Sequence, residues 1–333
     1  MNFFLISSMD ESFGLSGIFI VLQYLTLSSA SSGDRSYVFY KCKTDCVTTL
    51  CNRSIDTPNI NWTNFFPERS SLEEAVLWNC KRECKYRCMW QTVDAFSRDN
   101  LSIPQFYGKW PFMRMFGVQE PASSLFSFLN LLIQMMIVGH LCTEFSFQLP
   151  MLKYWCIQYT FSIMSWLWST IFHAYDTSLT EALDYFGALA FILSSIVTLQ
   201  ARVMYTHRIL RYSCTTFLVG FFINHVRYMM FVKFDYGYNM FVAVFFGLVN
   251  CFGWIFWSSY WCSLKKQPYL VYCRQSVFGL LATMALELRD FPPVLWTFDA
   301  HSLWHASSLL IVFPWYKFVS ADCRYLLDQK KKS

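Results

Sequence analysis

Charge is what this chain has least of. Only 15% of its 333 residues are Asp, Glu, Lys or Arg, against 55% hydrophobic and 20% aromatic. An ordinary soluble domain carries about 25% charged residues, so a water-soluble globular enzyme is excluded as the main architecture. Glycine-rich phosphate loops are absent, which excludes P-loop and dinucleotide-binding chemistry of the familiar kind. Internal repeats and low-complexity linkers are absent too, which excludes solenoids and tethered domain strings. The formal net charge of +5 is spread over short loops and the carboxyl end rather than one face, which argues against a nucleic-acid partner.

Long apolar runs take the place of charge. Crossing a bilayer takes about 20 predominantly apolar residues per helix, and seven segments meet that demand, at roughly 122–143, 151–173, 184–203, 212–232, 237–259, 269–288 and 295–318. The expected fold is an all-α multi-pass membrane protein, seven transmembrane helices preceded by a disulfide-rich lumenal domain. Residues 1–30 are expected to be a signal peptide: an apolar run from Gly17 to Leu27 is followed by the small residues Ser28, Ser29 and Ala30, with cleavage after Ala30. Asp10 and Glu11 stand where basic residues are usual, so a start at Met9 or an uncleaved anchor stays open. Residues 31–120 would form the lumenal region, 121–319 the bundle and 320–333 a cytosolic basic tail.

Orientation follows from charge and modification signals. If residues 31–120 are translocated, Arg202, Arg208 and Arg211, then Lys265 and Lys266, then Lys317, Arg324 and Lys330 to Lys332 face the cytosol, whereas the opposite loops offer Lys233 and Arg289; this is the positive-inside bias. The Asn-x-Ser/Thr acceptors Asn52, Asn61 and Asn100 all precede the first span, as lumenal glycosylation requires. Six cysteines, Cys42, Cys46, Cys51, Cys80, Cys84 and Cys88, form two triplets in the same region, and an even number at close spacing in an oxidising compartment reads as three disulfides between two short helices, with many pairings possible. A metal cluster is the lesser alternative, since no histidine stands at finger spacing. The Lys330-Lys-Lys-Ser333 ending resembles a dilysine retrieval signal; an early secretory address, Golgi or endoplasmic reticulum, is expected.

Chemistry is concentrated in few polar residues. Ser169 and His173 are four apart at the end of the second span, His301 and His305 four apart near the start of the seventh, and Asp184 opens the third. A four-residue spacing puts each pair on one helix face, and at about 1.5 Å per residue His301 and His305 sit roughly 10–15 Å below the lumenal edge, with Ser169 one turn deeper than His173 and Asp184 just after the lumenal loop, so that all five can converge. Ionisable groups inside spans are costly and usually functional. Three imidazoles suit zinc, which keeps a fourth position for water and brings its pKa to about 7. His173, His301 and His305 are therefore the expected metal ligands, Asp184 the expected general base and Ser169 an oxyanion or water partner. His301-Ser-Leu-Trp-His305 lacks the Glu of the soluble HExxH proteases, so the base must come from elsewhere. Asp299, off the ligand face, is expected to be at most an outer support. His140 and His207 read as interfacial or surface residues. Asn224, His225 and Arg227 form a polar group in the fourth span, with Arg227 expected to snorkel or to pair with Glu287 or Asp290, or else to meet a lipid phosphate.

Several longer stretches resemble one family. Trp168-Ser-Thr-Ile-Phe-His173, Leu183-Asp-Tyr-Phe186, Phe234-Asp-Tyr-Gly-Tyr-Asn239, Asp290-Phe-Pro-Pro293 and Asp299-Ala-His-Ser-Leu-Trp-His305 are similar to the post-GPI attachment to proteins factor 3 family. Cys80-Lys-Arg-Glu-Cys-Lys-Tyr-Arg-Cys-Met-Trp90, Pro104-Gln-Phe-Tyr-Gly-Lys-Trp-Pro111 and Gln119-Glu-Pro-Ala122 extend the resemblance through the region before the spans. It implies remodelling of glycosylphosphatidylinositol (GPI) anchors on anchored proteins, by removal of the unsaturated sn-2 acyl chain, within a wider seven-span group that includes alkaline ceramidases and adiponectin receptors. By that similarity His173, His301 and His305 would bind zinc, and Ser169 and Asp184 would serve the hydrolytic water. A ceramidase-like amidase and a non-enzymatic receptor or escort for GPI-anchored proteins remain as alternatives.

Overall fold

The computed structural model describes residues 31–51, 79–145, 149–264, 267–287 and 289–332. The expected signal segment, Asn52, Asn61, Lys265 and Lys266 lie outside the described residues. Those described are helical throughout, apart from turns and three isolated β-bridges.

Two helices precede the bundle. α1 (Tyr37–Cys46) starts where the Ser36 side chain accepts from the Phe39 amide and runs into a π-helical turn, Val47–Cys51. α2 (Cys80–Arg98) starts where Asn79 accepts from the Arg82 amide. Such oxygen caps satisfy amides that the first turn leaves without a partner. Cys42–Cys88, Cys46–Cys84 and Cys51–Cys80 join the two in a nested ladder. The expected three-disulfide staple is present, and the antiparallel run of α1 against α2 selects its pairing. Phe39, Val93 and Phe106 form a small core beside it.

Seven long helices follow: α3 (Pro121–Glu144), α4 (Pro150–Ala174), α5 (Ser178–Val203), α6 (Arg208–Phe231), α7 (Tyr236–Leu264), α8 (Leu270–Glu287) and α9 (Ala300–Lys332). They coincide with the seven apolar segments read from sequence. Pro121–Glu144, Ser178–Val203 and Tyr236–Ser263 are long and apolar enough to cross a membrane. Proline at the first turn opens α3 and α4, where its missing N–H costs nothing. α5 begins at Ser178, because Thr177 and Thr180 cap one another reciprocally. Asp184 therefore sits within the helix, beyond its first turn, and not at its start. α9 begins at Ala300 and continues through residues 320–332.

Among the described residues each helix packs on the next in the order α3, α4, α5, α7, α8, α9, and α9 closes back on α3; α6 lies outside this ring against α5. The larger core fills the ring far from the histidines with Trp155, Trp254, Trp257 and Phe318, whose rings meet edge-on or stacked. A second core of Leu189, Leu193, Leu218, Val242 and Phe246 joins α5, α6 and α7.

The disulfide module is not a tethered appendage. Trp90 of α2 meets Trp296 edge-on at 5.0 Å between centroids, Arg82 Nη1 donates to the Asp176 carbonyl at 2.7 Å, and Gln105 and Trp110 both donate to Asp290. It is docked on the loops between the long helices, at the end where α4 finishes and α3 and α9 begin.

Candidate metal centre

That end of the bundle carries the histidines. His173 lies in the last turn of α4, and His301 and His305 lie in the first two turns of α9. His173 Nε2 is 3.3 Å from His301 Nε2, which is 2.8 Å from His305 Nε2, and the ligand atoms of all three lie within 4.8 Å of one another. His173 and His305 are buried. A neutral imidazole offers one lone-pair nitrogen, so three convergent Nε2 atoms crowd lone pairs together unless a cation or shared protons sit between them. Tetrahedral zinc with nitrogens at 2.0–2.1 Å would set them about 3.3 Å apart, the separation of His173 from His301, whereas His301 and His305 stand closer. The donor set fits a divalent metal held by three histidines.

Behind His173 stands a carboxylate that the sequence reading did not assign. Glu120 Oε2 lies 2.6 Å from His173 Nδ1, which leaves Nε2 free to face the other two histidines. Glu120 occupies the N-cap position of α3, yet its side chain makes no capping bond. Its backbone amide donates to the His173 carbonyl at 2.9 Å, and the Gln119 amide donates to that of Ala174 at 3.0 Å. Lys109 Nζ reaches Glu120 Oε1 at 2.7 Å and Asp176 Oδ2 at 2.9 Å. Burial alone would raise the Glu120 carboxyl, but Lys109 and His173 outweigh it and hold it well below the usual carboxylate range. Burial likewise opposes the Lys109 ammonium, and Glu120 and Asp176 hold it above its ordinary value. The signals were present as Gln119-Glu-Pro-Ala122 and the Lys109 motif, but nothing local tied either to a histidine more than fifty residues away.

Ser169 lies one turn deeper on α4, and its hydroxyl is 3.0 Å from that of Ser127 on α3. Asn130, also on α3, donates to the His305 carbonyl at 3.0 Å. Asp184 is half-buried and within electrostatic reach of His173, His301 and Lys109, with no hydrogen bond to its carboxylate among the described residues. Gly187, one turn on, lets α5 approach α4: a Cβ there would stand 3.1 Å from Ser165 Cα. Small residues at such crossings bring backbones close, which carries Asp184 toward the histidines.

The other candidates lie apart. Asp299 Oδ1 accepts from the Ser302 amide at 2.8 Å and Ser302 Oγ donates back to its carbonyl, so Asp299 caps α9 and does not support the ligands. His225 is fully buried, 3.1 Å from Asn239 Oδ1, and Arg227 donates to Asn224. Of the two acidic partners open to Arg227, Asp290 accepts instead from Gln105 and Trp110, and the side chain of Glu287 lies outside the described residues. His140 and His207 are exposed and away from the cluster.

Comparison with known proteins decides the lineage. The Per1-like family matches residues 70–323, most of the chain. The chain belongs to the Per1-like family. Relatives include the "GPI-specific phospholipase A2-like PGAP3" of Xenopus tropicalis, 38% identical over 93% of this chain and 96% of that protein, and that of Homo sapiens, 35% identical over 92% and 93%. The "Post-GPI attachment to proteins factor 3" of Drosophila melanogaster is 36% identical over 93% of this chain and 94% of its own length. No solved structure matches. The resemblance read from the motifs is thus to the right family, and Glu120 and Lys109 of this Per1-like chain fall inside the matched region.

Proposed function

We propose that this Per1-like chain is a metal-dependent acyl hydrolase of GPI-anchor remodelling, which removes the unsaturated sn-2 acyl chain from the inositol phospholipid of anchored proteins. The observation that carries the reading is the convergence of His173, His301 and His305 on one point, in a chain whose relatives are named GPI-specific phospholipase A2-like. Zinc, favoured by an all-imidazole donor set, would supply Lewis acidity and a water of lowered pKa when bound. The chain's own residues divide the remaining work. Asp184 takes the proton of the attacking water as general base. Ser169, aimed by Ser127, donates a hydrogen bond to the ester carbonyl oxygen as it gains charge. The water oxygen bonds to the acyl carbon, the acyl carbon–oxygen bond breaks, and the proton held by Asp184 passes to the departing oxygen, releasing a fatty acid and a lyso-anchor. Glu120 orients His173 and, through Lys109, ties that ligand to Asp176.

The topology that supports this chemistry takes all seven helices as spans, with the disulfide module and the histidine end lumenal and the end of α9 cytosolic, in Golgi or endoplasmic reticulum membrane. Charge placement and Asn100 beyond α2 agree with it. Anchored proteins would then present their lipid in the leaflet onto which the site opens.

The test is metal analysis by mass spectrometry on detergent-purified wild type, His301→Ala and Asp184→Asn, with anchor acyl chains profiled in cells expressing each. About one zinc per chain, lost together with remodelling in His301→Ala, and metal retained without remodelling in Asp184→Asn, is the expected outcome. Remodelling retained in Asp184→Asn would remove the proposed base. Accumulation of ceramide instead of diacyl anchors on loss of the protein would move the substrate to the amidase class.

A further inference from the structure

Two tight turns beside the site hold bulky apolar residues in a backbone conformation that such residues rarely adopt. Phe116 has φ 53°, followed by Gly117 at 79°, in a turn closed by Met115 and Val118 exchanging backbone hydrogen bonds at 3.2 and 2.9 Å. Leu295 and Trp296, at φ 54° and 56°, form a second turn closed between Val294 and Phe298 at 2.8 and 3.0 Å. Left-handed backbone at bulky residues other than glycine is disfavoured and persists where the surroundings over-determine it. Trp296 is accounted for: its ring packs on Trp90, and its carbonyl accepts from the Met113 amide at 2.8 Å, which sets the two turns side by side. Phe116 and Leu295 are not. Each is 76% exposed, and Met113, Met115 and Val294 beside them are exposed as well. A third turn of the same build, at Tyr107 and Gly108, turns its ring to Lys43 and Lys85 of the disulfide module. The other two present their apices outward.

Position says what covers them. The Phe116 turn ends at Val118, just before Pro121 opens a helix apolar enough to cross a bilayer, and the Leu295 turn ends at Phe298, just before Ala300 opens α9, whose first turn carries His301. Both therefore stand at the boundary of the apolar bundle, on the histidine end. In water a cluster of apolar side chains there would be unfavourable, whereas at a bilayer surface it inserts among acyl chains. We propose that the Phe116 and Leu295 turns form a wedge that enters the acyl region of the surrounding phospholipid leaflet and holds the mouth of the metal centre at the level of the lipid ester bonds. Insertion rests on the membrane placement alone; its use in drawing substrate to the site rests on the hydrolase reading above.

The experiment places a diazirine-bearing aliphatic amino acid at Phe116 or Leu295 in the full chain, with Phe256 of α7 as the lipid-facing standard and Tyr37 of α1, 73% exposed on the disulfide module, as the aqueous one. Each protein is reconstituted in phosphatidylcholine nanodiscs, irradiated and analysed by mass spectrometry. Phospholipid adducts at 116 and 295 within about threefold of the yield at 256, and at least about tenfold above that at 37, are expected of an inserted wedge. Yields at 116 and 295 no higher than at 37, or adducts to a second protein copy, would overturn it. The readout needs no hydrolysis, so it stands or falls separately from the enzymatic reading. If the wedge also delivers substrate, Phe116→Ser combined with Leu295→Ser lowers anchor remodelling severalfold while bound metal stays at the wild-type level.

Discussion

Glu120 bridges His173 and Lys109 with its two carboxylate oxygens, Oε2 at 2.6 Å from the imidazole Nδ1 and Oε1 at 2.7 Å from the ammonium. One buried carboxylate thus fixes the tautomer of a candidate metal ligand and anchors the segment that precedes α3. Glu120→Gln keeps the size but loses the charge and turns one N–H₂ group toward Lys109 or the imidazole. Metal affinity should fall about 10–100-fold, the usual effect of removing such a partner. Competition with a fluorescent zinc chelator measures it, and an affinity equal to wild type would show that His173 is oriented by something else.

Lys109→Met removes the cation from the same pair and leaves a buried carboxylate facing only His173. Breaking a buried pair by removing one partner costs roughly 3 kcal/mol, so the detergent-purified variant should unfold at clearly lower temperature. The pH dependence has a definite sign. The folded Glu120 carboxyl is held below its ordinary value, so its stabilisation is full above the unfolded carboxylate pKa of about 4.3 and disappears as pH falls through the folded value. The gap between wild type and variant should therefore be constant at neutral pH and narrow only in acid. A gap that widens in acid would assign the stabilisation to another group.

Ser127→Ala tests whether the Ser169 hydroxyl must be aimed. The 3.0 Å contact between the two hydroxyls is worth about 1 kcal/mol, which as lost orientation is roughly a fivefold to tenfold slower remodelling with bound metal unchanged. Equal rates in the two proteins would leave Ser169 oriented by substrate alone.

Much of this was legible in the sequence, and the limits have physical causes. Apolar length located all seven long helices, because a helix that buries most of its surface must be apolar over most of its length; three of them are long and apolar enough to cross a membrane. Their ends were misplaced where capping, not hydropathy, decides them: the Thr177 and Thr180 cap starts α5 at Ser178 within a polar stretch, and Asp299 starts α9 at Ala300. His173, His301 and His305 were legible because four-residue spacing is a helix-face signal. Glu120 was not, since its partner is brought to it only by the return of α4 alongside α3.

Disulfide pairing was also illegible, because spacings of four and five residues in the first triplet and of four in the second are compatible with parallel or antiparallel helices. The structure commits to the antiparallel choice. Non-reducing peptide mapping by mass spectrometry should recover Cys42 with Cys88, Cys46 with Cys84 and Cys51 with Cys80. Recovery of Cys42 with Cys80 would reverse the direction of α1 against α2 and with it the docking of Trp90 on Trp296.

At the opposite end of the bundle Asp322 of α9 is fully buried and accepts from Arg202 of α5 through Nε at 3.1 and 3.0 Å and Nη2 at 2.9 Å, and from Tyr269 Oη at 2.8 Å. Among the described residues α5 and α9 are not packed neighbours, so this pair links helices that the ring keeps apart. Asp322→Ala leaves a largely buried guanidinium without its counter-charge and should cost about 3–5 kcal/mol. Combining Arg202→Met with Asp322→Leu removes both charges and their desolvation, and should recover most of that loss. Cys251, Cys273 and Cys323 are buried free thiols, so a thiol-reactive fluorophore reports unfolding as temperature rises. The single variant should react at much lower temperature than the double. Equal destabilisation of the two would mean that the pair stabilises the bundle through packing and not through charge.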